Sequence, residues 1–212
     1  MKKVSLIFIL LIGFGCISYA QTITIGTQVW MTKNLDVATF RNGDPIPQAK
    51  TNEEWVKAGD NQQPAWCYYD NDPANGAKYG KLYNWYAVND SRGLAPVGYH
   101  IPSDAEWTIL TDFLGGEKVA GTKMKSTDFW ADYEGNSGNG TNESGFSGLP
   151  GGARNERTFT TIGEFGYWWS STEYYIYAWF HCLGYGGGPT GKVYNRVFYY
   201  KHYGFSVRCL RD

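Results

Sequence analysis

The sequence predicts an α+β domain, on the basis of a capped helix, strand-like segments and glycine-rich turns. Ser103 and Glu106 have the spacing of a capping box, which starts a helix. Apolar residues at helical spacing continue that helix over residues 104–114. Glycine accounts for 27 of the 212 residues, above the usual share of about 7%, which indicates many tight turns. Four later segments have the pattern of strands: residues 167–170, 178–184, 193–200 and 205–210.

The remaining elements follow in chain order, and the last two strands are expected to pair as an antiparallel sheet. Further strands are predicted at residues 22–25, 28–31 and 65–69, a short capped helix between Thr51 and Gly59, a turn-rich loop at 70–76, and a helix within 79–89. Residues 135–157 are dominated by glycine, asparagine and serine. Because Phe146 and Leu149 lie inside this section, we expect an ordered loop with a function rather than disorder.

The first twenty residues have the layout of an export signal. Lys2 and Lys3 precede an apolar stretch, and Ser18-Tyr19-Ala20 places small residues at the −3 and −1 positions of a cut before Gln21. A membrane anchor needs roughly 20 apolar residues, and this stretch is shorter. We therefore expect residues 1–20 to be a signal peptide and residues 21–212 to be a single secreted domain, without a transmembrane segment.

Two alternatives to this signal peptide stay open. One is a buried N-terminal helix. The other is a bacterial lipoprotein that is cut just before Cys16, although Gly13-Phe14-Gly15 departs from the small-residue pattern that such sites have. Whether the chain is cut before Gln21 or before Cys16, the exported protein would reach the extracellular space, the outer surface or the periplasm.

The charge balance argues against nucleic-acid partners. The formal net charge is −1, with 19 basic and 20 acidic residues, so the chain offers no electrostatic attraction to nucleic acid or to anionic membranes. The cysteines and histidines form no spacing typical of a zinc site. No metal and no cofactor is therefore predicted, and the oligomeric state stays open.

The segment from Trp168 to Tyr175 is the most ligand-like part of the sequence. Neighbouring residues of a strand point to opposite faces, so one tryptophan can fill the core while the other lines a surface. An exposed flat ring can stack on a sugar, and nearby polar side chains can bind its hydroxyls. The alternative is that both tryptophans belong to the core. The predicted ligand-binding residues are Trp168, Trp169, Glu173, Tyr174, Asn142 and Arg154.

Two other kinds of site have candidate residues in the sequence. Asp70, Asp72 and Asn75 alternate as calcium ligands can, but the glycine and the distal glutamate of a calcium loop are missing, so a solvated turn is expected. Glu143 and Glu173 could supply the two carboxylates of a glycan hydrolase. The sequence does not pair them, and no catalytic residue is predicted.

Three cysteines follow residue 20, which permits one disulfide in an oxidising compartment. Cys67 and Cys209 are predicted to form it, tying an early strand to the last one. Pairing of Cys182 with Cys209 is the alternative, because adjacent strands could bring them within bonding distance.

Seven segments in order resemble the Fibrobacter succinogenes major paralogous domain, a family of secreted bacterial domains. They are residues 25–35 (IGTQVWMTKNL), 79–88 (YGKLYNWYAV), 98–107 (GYHIPSDAEW), 141–146 (TNESGF), 149–152 (LPGG), 168–173 (WWSSTE) and 204–209 (GFSVRC). The resemblance covers the chain from about residue 22 to its end. It implies an exported domain and a shared fold.

A more distant likeness, carried by residues 100–107 and 204–209, is to the formylglycine-generating enzyme superfamily. That likeness implies a C-type lectin-like fold, with two main helices packed on small twisted antiparallel sheets and long structured loops. The enzyme needs a closely spaced cysteine pair, and residues 151–157 contain none, so its activity is not expected. The calcium motif of lectins is also broken, because Ala65 follows Gln63-Pro64 where an acidic residue should stand.

The sequence thus favours a secreted, non-enzymatic binding module for glycans or cell-surface proteins, acting through residues 135–157 and 168–175. A secreted glycan hydrolase and a purely structural surface module are the alternatives.

Overall fold

The described residues, 21–184 and 194–212 of a computed structural model, form eleven β-strands and five α-helices. The strands are β1 Thr22–Ile25, β2 Gln28–Met31, β3 Trp66–Cys67, β4 Leu82–Tyr83, β5 Tyr99–His100, β6 Gly151–Arg154, β7 Phe159–Ile162, β8 Phe165–Tyr174, β9 Tyr177–Gly184, β10 Tyr194–Tyr200 and β11 Leu210–Arg211. The helices are α1 Asn52–Asp60, α2 Pro73–Tyr79, α3 Trp85–Val88, α4 Asp104–Phe113 and α5 Glu117–Met124, with a 3-10 turn at Tyr69–Asn71. The predicted α+β class is confirmed.

The two helices with capping boxes are confirmed. In α4 the Ser103 hydroxyl accepts from the backbone N–H of Glu106, and the Glu106 carboxylate accepts from the Ser103 backbone N–H. In α1, Thr51 and Glu54 make the same reciprocal pair. Each box satisfies two N–H groups that the first helical turn leaves without an intrahelical acceptor, so four residues locate the start of each helix.

Other element predictions need correction. The helix expected within residues 79–89 is only α3, because Leu82 and Tyr83 pair with β3 as strand β4. The loop expected at 70–76 contains the start of α2, which Asp72 caps and which continues to Tyr79. Strand β6 lies inside the section 135–157, and α5 has no counterpart in the prediction.

The β-strands form three sheets. One has the order β10-β9-β8-β6-β7, a second the order β1-β2-β11-β5, and β3 pairs with β4. The expected pairing between residues 193–200 and 205–210 is wrong, because β10 pairs with β9 and β11 lies between β2 and β5. The last segment instead crosses the domain, and isolated bridges join Phe205 to Tyr83 and Ser206 to Trp168.

Strand β8 separates two hydrophobic cores. Trp168 packs on one face against Trp107 and Phe146, with ring centroids 6.5 and 5.8 Å away. Trp169 packs on the other face against Phe205, at 4.4 Å. The helices α4 and α5 cover the first core, and α3 covers the second. Both faces of β8 are therefore buried at Trp168 and Trp169.

A bulge divides β8 into two halves. Residues 170–172 stand between the pairs Trp169–Phe180 and Glu173–Ala178, opposite one residue of β9. The bulged backbone bonds to neighbouring helices: the Trp85 indole N–H donates to the Ser170 carbonyl at 3.0 Å, and the Thr172 hydroxyl accepts from the first N–H of α4 at 3.0 Å. The bulge thus fixes α3 and the start of α4 to the sheet.

The predicted disulfide between Cys67 and Cys209 is wrong, and so is its alternative through Cys182. Within the described part of the chain these three cysteines are free and buried. Cys67 packs in a small core under α1, whereas Cys182 and Cys209 belong to the core that contains Trp169. Burial raises the pKa of Cys67 and of Cys182 to about 11 and that of Cys209 to about 12, so the thiols stay protonated.

The predicted signal peptide and Cys16 lie outside the described residues. Among residues 21–184 and 194–212, no helix has the length and apolarity that a membrane crossing requires.

Candidate functional site: an aromatic strip and its adjoining cleft

One face of the β8–β9–β10 sheet carries a row of partly exposed aromatic rings, which we call the aromatic strip. The strip consists of Tyr174, Tyr177, Trp179, Phe198 and Tyr200. Register explains the row, because Tyr174 pairs with Tyr177, Phe198 with Trp179, and Tyr200 with Tyr177. Side chains at paired positions share a face of the sheet. Neighbouring ring centroids lie 4.6 to 5.6 Å apart.

The rings of the strip remain accessible to solvent. Tyr174, Phe198 and Tyr200 are 38%, 37% and 42% exposed, and Tyr175 at the hairpin tip is 81% exposed. Contiguous apolar surface of this kind is uncommon on a soluble domain unless it binds something. The hydroxyls of its tyrosines also give the strip polar atoms between the ring faces.

An ion pair fixes one end of the strip. The Arg196 guanidinium lies 4.2 Å from the ring centroid of Trp179 and makes a two-pronged contact with Asp104, at 2.7 and 2.5 Å. Burial opposes ionisation of Asp104, but hydrogen bonds from His181 and Arg196 outweigh it and lower the pKa of Asp104 to about 2. The carboxylate therefore stays charged and holds Arg196 over the first ring of the strip.

The other end of the strip opens into a cleft of about 430 Å³, which we call the strip-end cleft. It is lined by Asn155, Glu156, Arg157, Tyr200, His202 and Tyr203. His202 stacks on Tyr200 with centroids 5.3 Å apart, and its Nε2 lies 2.9 Å from the Glu156 carboxylate. The turn between β6 and β7 supplies the polar wall of this cleft. Its volume is within the range of ligand pockets.

Two of the predicted site residues, Trp168 and Trp169, are buried, at 1% and 0% exposure. The prediction that one of them lines a surface is wrong. The two rings do point to opposite faces, as expected for a strand, but a hydrophobic core covers each face. Their indole N–H groups are also used internally, by the Asn34 side chain and the Tyr83 carbonyl.

Arg154 was expected to hold a ligand, but it is fully buried. Its Nη1 and Nη2 donate to the carbonyls of Ala49 and Thr51, at 3.3 and 2.7 Å. The guanidinium lies between the rings of Trp55 and Phe159, 4.8 Å from each centroid. Arg154 therefore ties the approach to α1 to strand β6, and its contacts are internal.

The remaining predicted residues lie at two separate places. Tyr174 belongs to the aromatic strip, whereas Glu173, one position earlier in β8, points to the opposite face of the sheet and is bonded to Lys201. Asn142 lines a different cleft, and its side chain exchanges two hydrogen bonds with Ser147, at 2.8 and 2.9 Å. Of the six predicted residues, one, Tyr174, belongs to the aromatic strip.

Two residues of the alternating segment 70–75 make structural contacts. Asp72 caps α2 through the N–H of Ala74, and the Asn75 amide donates to the Tyr69 carbonyl. In the described part of the chain, no group of three or more histidine, cysteine or acidic residues could hold a metal ion. Glu143 lies in the turn that bonds to the end of α5 through Ser144, whereas Glu173 lies near the end of β8.

Sequence reasoning missed Tyr177, Trp179, Phe198 and Tyr200. The signal was present, because Tyr177-x-Trp179 and Phe198-x-Tyr200 each place two rings on one face of a strand. What the sequence did not supply was the register that aligns the two strands. His202 was missed because it follows β10 in a turn rather than in the strand.

The comparisons with known proteins concern the whole chain. A family model described as the Fibrobacter succinogenes major domain matches residues 23–211, which confirms the resemblance seen in the sequence. Neither a curated protein nor a solved structure matches. Because the family match spans nearly the whole length, the chain belongs to the Fibrobacter succinogenes major domain family.

Proposed function

We propose that this chain is a secreted or surface-exposed binding module that recognises a polysaccharide and has no catalytic role. The single observation that carries the proposal is the aromatic strip. Five rings in a row form a surface on which the C–H faces of successive sugars can stack, and the strip-end cleft receives one end of the chain. A C-type lectin-like fold is part of this proposal.

The polar groups around the strip favour a glycan over an apolar protein partner. Arg196 stands at one end, and His202 and Glu156 stand at the other end. A sugar offers hydroxyls to such groups while its apolar face covers the rings. An apolar protein surface would cover these polar groups and their ion pairs without offering hydrogen bonds in return, at a cost in binding free energy.

The experiment is a pull-down and affinity measurement of the full chain on a panel of insoluble and soluble polysaccharides. Tyr174→Ala and Tyr200→Ala each remove one ring of the strip, and Phe113→Ala removes an exposed aromatic ring on α4, outside it. We expect each strip variant to weaken binding about fivefold, from roughly 1 kcal/mol per lost ring contact, and the control to bind like the unmodified chain. Far-UV circular dichroism checks that all three variants are folded.

Two results would overturn the proposal. One is a folded chain that retains no polysaccharide of the panel. The other is polysaccharide binding that both strip variants keep at full strength. Specific capture of a purified surface protein, lost in the strip variants, would replace the glycan with a protein partner.

Export is a separate part of the proposal and rests on the residue pattern of positions 1–20. Expression of the full chain in a bacterium, followed by N-terminal sequencing of the exported protein, tests it. We expect the mature chain to begin at Gln21. A lipid-modified cysteine at position 16 would support the lipoprotein alternative instead, and an intact Met1 would contradict export.

A further inference from the structure

A second cleft, which we call the basic cleft, lies apart from the aromatic strip. Its volume is about 520 Å³, and its wall combines three cationic side chains, those of Lys33, Lys78 and Arg208, with two anionic ones, those of Asp36 and Asp128. Hydroxyl and amide groups supply much of the remaining wall. The volume suits a mono- or disaccharide-sized ligand.

Arg208 is the unusual member of this wall, because it is a buried cation at 1% exposure. Its Nε and Nη2 donate to the Asn34 side-chain oxygen at 3.1 and 2.8 Å, and its Nη1 donates to the carbonyls of Met31 and Phe146 at 3.1 and 2.6 Å. A guanidinium has five N–H groups, so one N–H on Nη2 remains. The acceptors are all uncharged, and the guanidinium lies 4.3 Å from the Phe146 ring.

The charge of Arg208 is not balanced nearby. Within residues 21–184 and 194–212 it makes no ion pair with a carboxylate. Burial lowers its pKa to about 9, which shows that its surroundings disfavour the charged form. A buried cation without a counter-charge costs free energy, and an anion in the cleft would offset that cost.

The rim of the cleft adds positive charge. Lys33 and Lys78 are both exposed. Of the two carboxylates, Asp36 is already paired with Lys81. Asp128 is the opposing charge at the rim, so the cleft as a whole has an excess of cations.

We propose that the basic cleft binds a sugar acid, with its carboxylate between Arg208 and the rim lysines and its hydroxyls on the polar wall. The remaining N–H on Nη2 of Arg208 can donate to one carboxylate oxygen and the rim lysines to the other, and the serine, threonine and asparagine side chains of the wall bind hydroxyls. This site does not depend on the aromatic strip, and the two can be tested independently.

The test is calorimetric titration of the full chain with glucuronate, with glucose as the uncharged counterpart and with inorganic phosphate as a simple anion. We expect glucuronate to bind at least tenfold more tightly than glucose, and binding to weaken as salt is added. Lys33→Gln and Lys78→Gln should each weaken glucuronate binding about two- to fivefold, as for a partly exposed charge pair. Asp128→Asn should strengthen it.

Lys118→Gln is the matched control, because Lys118 is an exposed lysine on α5 that does not line the cleft, and it should bind like the unmodified chain. Arg208→Lys keeps a cation but loses the Nη2 N–H that is left for the carboxylate, and a folded variant should lose most of the binding. If Arg208→Lys does not fold, the rim variants decide. Absence of glucuronate binding, equal binding of glucose, phosphate binding as tightly as glucuronate, or unchanged binding in a Lys33→Gln/Lys78→Gln double variant would each overturn the proposal.

Discussion

Replacement of Trp168 by alanine tests whether this ring supports the core or binds a ligand. The ring is 1% exposed and packs against Trp107 and Phe146, and its indole N–H donates to the Asn34 side chain at 2.8 Å. Truncating a buried tryptophan to alanine costs about 3–5 kcal/mol, through lost contacts and the cavity left behind. Since whole domains are stable by about 5–15 kcal/mol, we expect Trp168→Ala to remove a large part of the free energy of unfolding.

The assay is urea unfolding followed by far-UV circular dichroism at 25 °C. With a slope of about 2 kcal/mol per molar urea, a loss of about 4 kcal/mol moves the midpoint down by about 2 M. Tyr175→Ala is the control on the same strand-turn segment, because that ring is 81% exposed and its loss should change the free energy by less than about 0.5 kcal/mol.

The opposite pattern would refute the reasoning. If Trp168→Ala kept the midpoint of the unmodified chain but abolished ligand binding, the ring would be a surface contact and the two-core description of β8 would be wrong. If Trp168→Ala lowered the midpoint while the folded variant still bound its ligand, the core role would stand.

Four other tests concern the helix cap, two titrating groups and the thiols. Ser103→Ala removes the acceptor for the Glu106 N–H and should cost about 1 kcal/mol in urea unfolding, with an unchanged midpoint as the contradicting result. Burial lowers the pKa of His181 below its usual 6.5. The neutral ring therefore contributes stability that is present above pH 6.5 and is lost as the pH falls, when the unfolded chain takes up a proton first. His181→Gln should remove this dependence and reduce the slope of the free energy of unfolding below pH 6.5 by up to about 1.4 kcal/mol per pH unit. The pKa of Asp104 is about 2, so the stability from its pair with Arg196 is present above about pH 3.8 and is lost as the pH falls toward 2; in Asp104→Asn this acid-dependent part should be missing from the unfolding profile. The three described cysteines should react with iodoacetamide only after denaturation, as mass spectrometry would show, and a disulfide found by non-reducing peptide mapping would contradict their free state.

The parts of the fold that could be predicted from the sequence are those that depend on nearby residues. The capping boxes at Thr51 and Ser103 place α1 and α4, because each needs a partner only three residues away. The predicted strand at 178–184 matches β9 to within one residue, whereas the one at 167–170 covers only part of β8. These signals depend on residues close together in the chain, so they can be recognised in the sequence without knowledge of the folded structure.

The parts that failed depend on partners distant in sequence. Leu82 and Tyr83 have helical spacing but form a strand because Cys67 and Trp66 lie opposite them. Residues 205–210 look like one strand, yet their backbone bonds go to several elements, and only Leu210 continues into β11. Tertiary pairing overrides local propensity at both places.

The candidate site shows the same limit. Alternation correctly set Trp168 and Trp169 on opposite faces, but burial of both faces depends on which helices cover the sheet. The aromatic strip needs the register between β9 and β10, and the charge balance around Arg208 needs the folded positions of residues up to 177 apart in the chain. No pattern within one segment of the sequence indicates the register between β9 and β10 or the charge balance around Arg208.

The bulge in β8 has a consequence for how this domain can change. It divides one strand into a half whose side chains are locked between two cores and a half whose side chains face solvent. Exchanging Tyr174 or the 175–176 tip therefore alters the outer surface without disturbing the packing of Trp168 and Trp169. The exposed hairpin beyond the bulge can therefore vary in sequence while the buried part of the sheet stays the same. Libraries randomised at the strip and the tip should yield folded domains with new ligand preferences, whereas libraries randomised before the bulge should mostly yield unfolded chains.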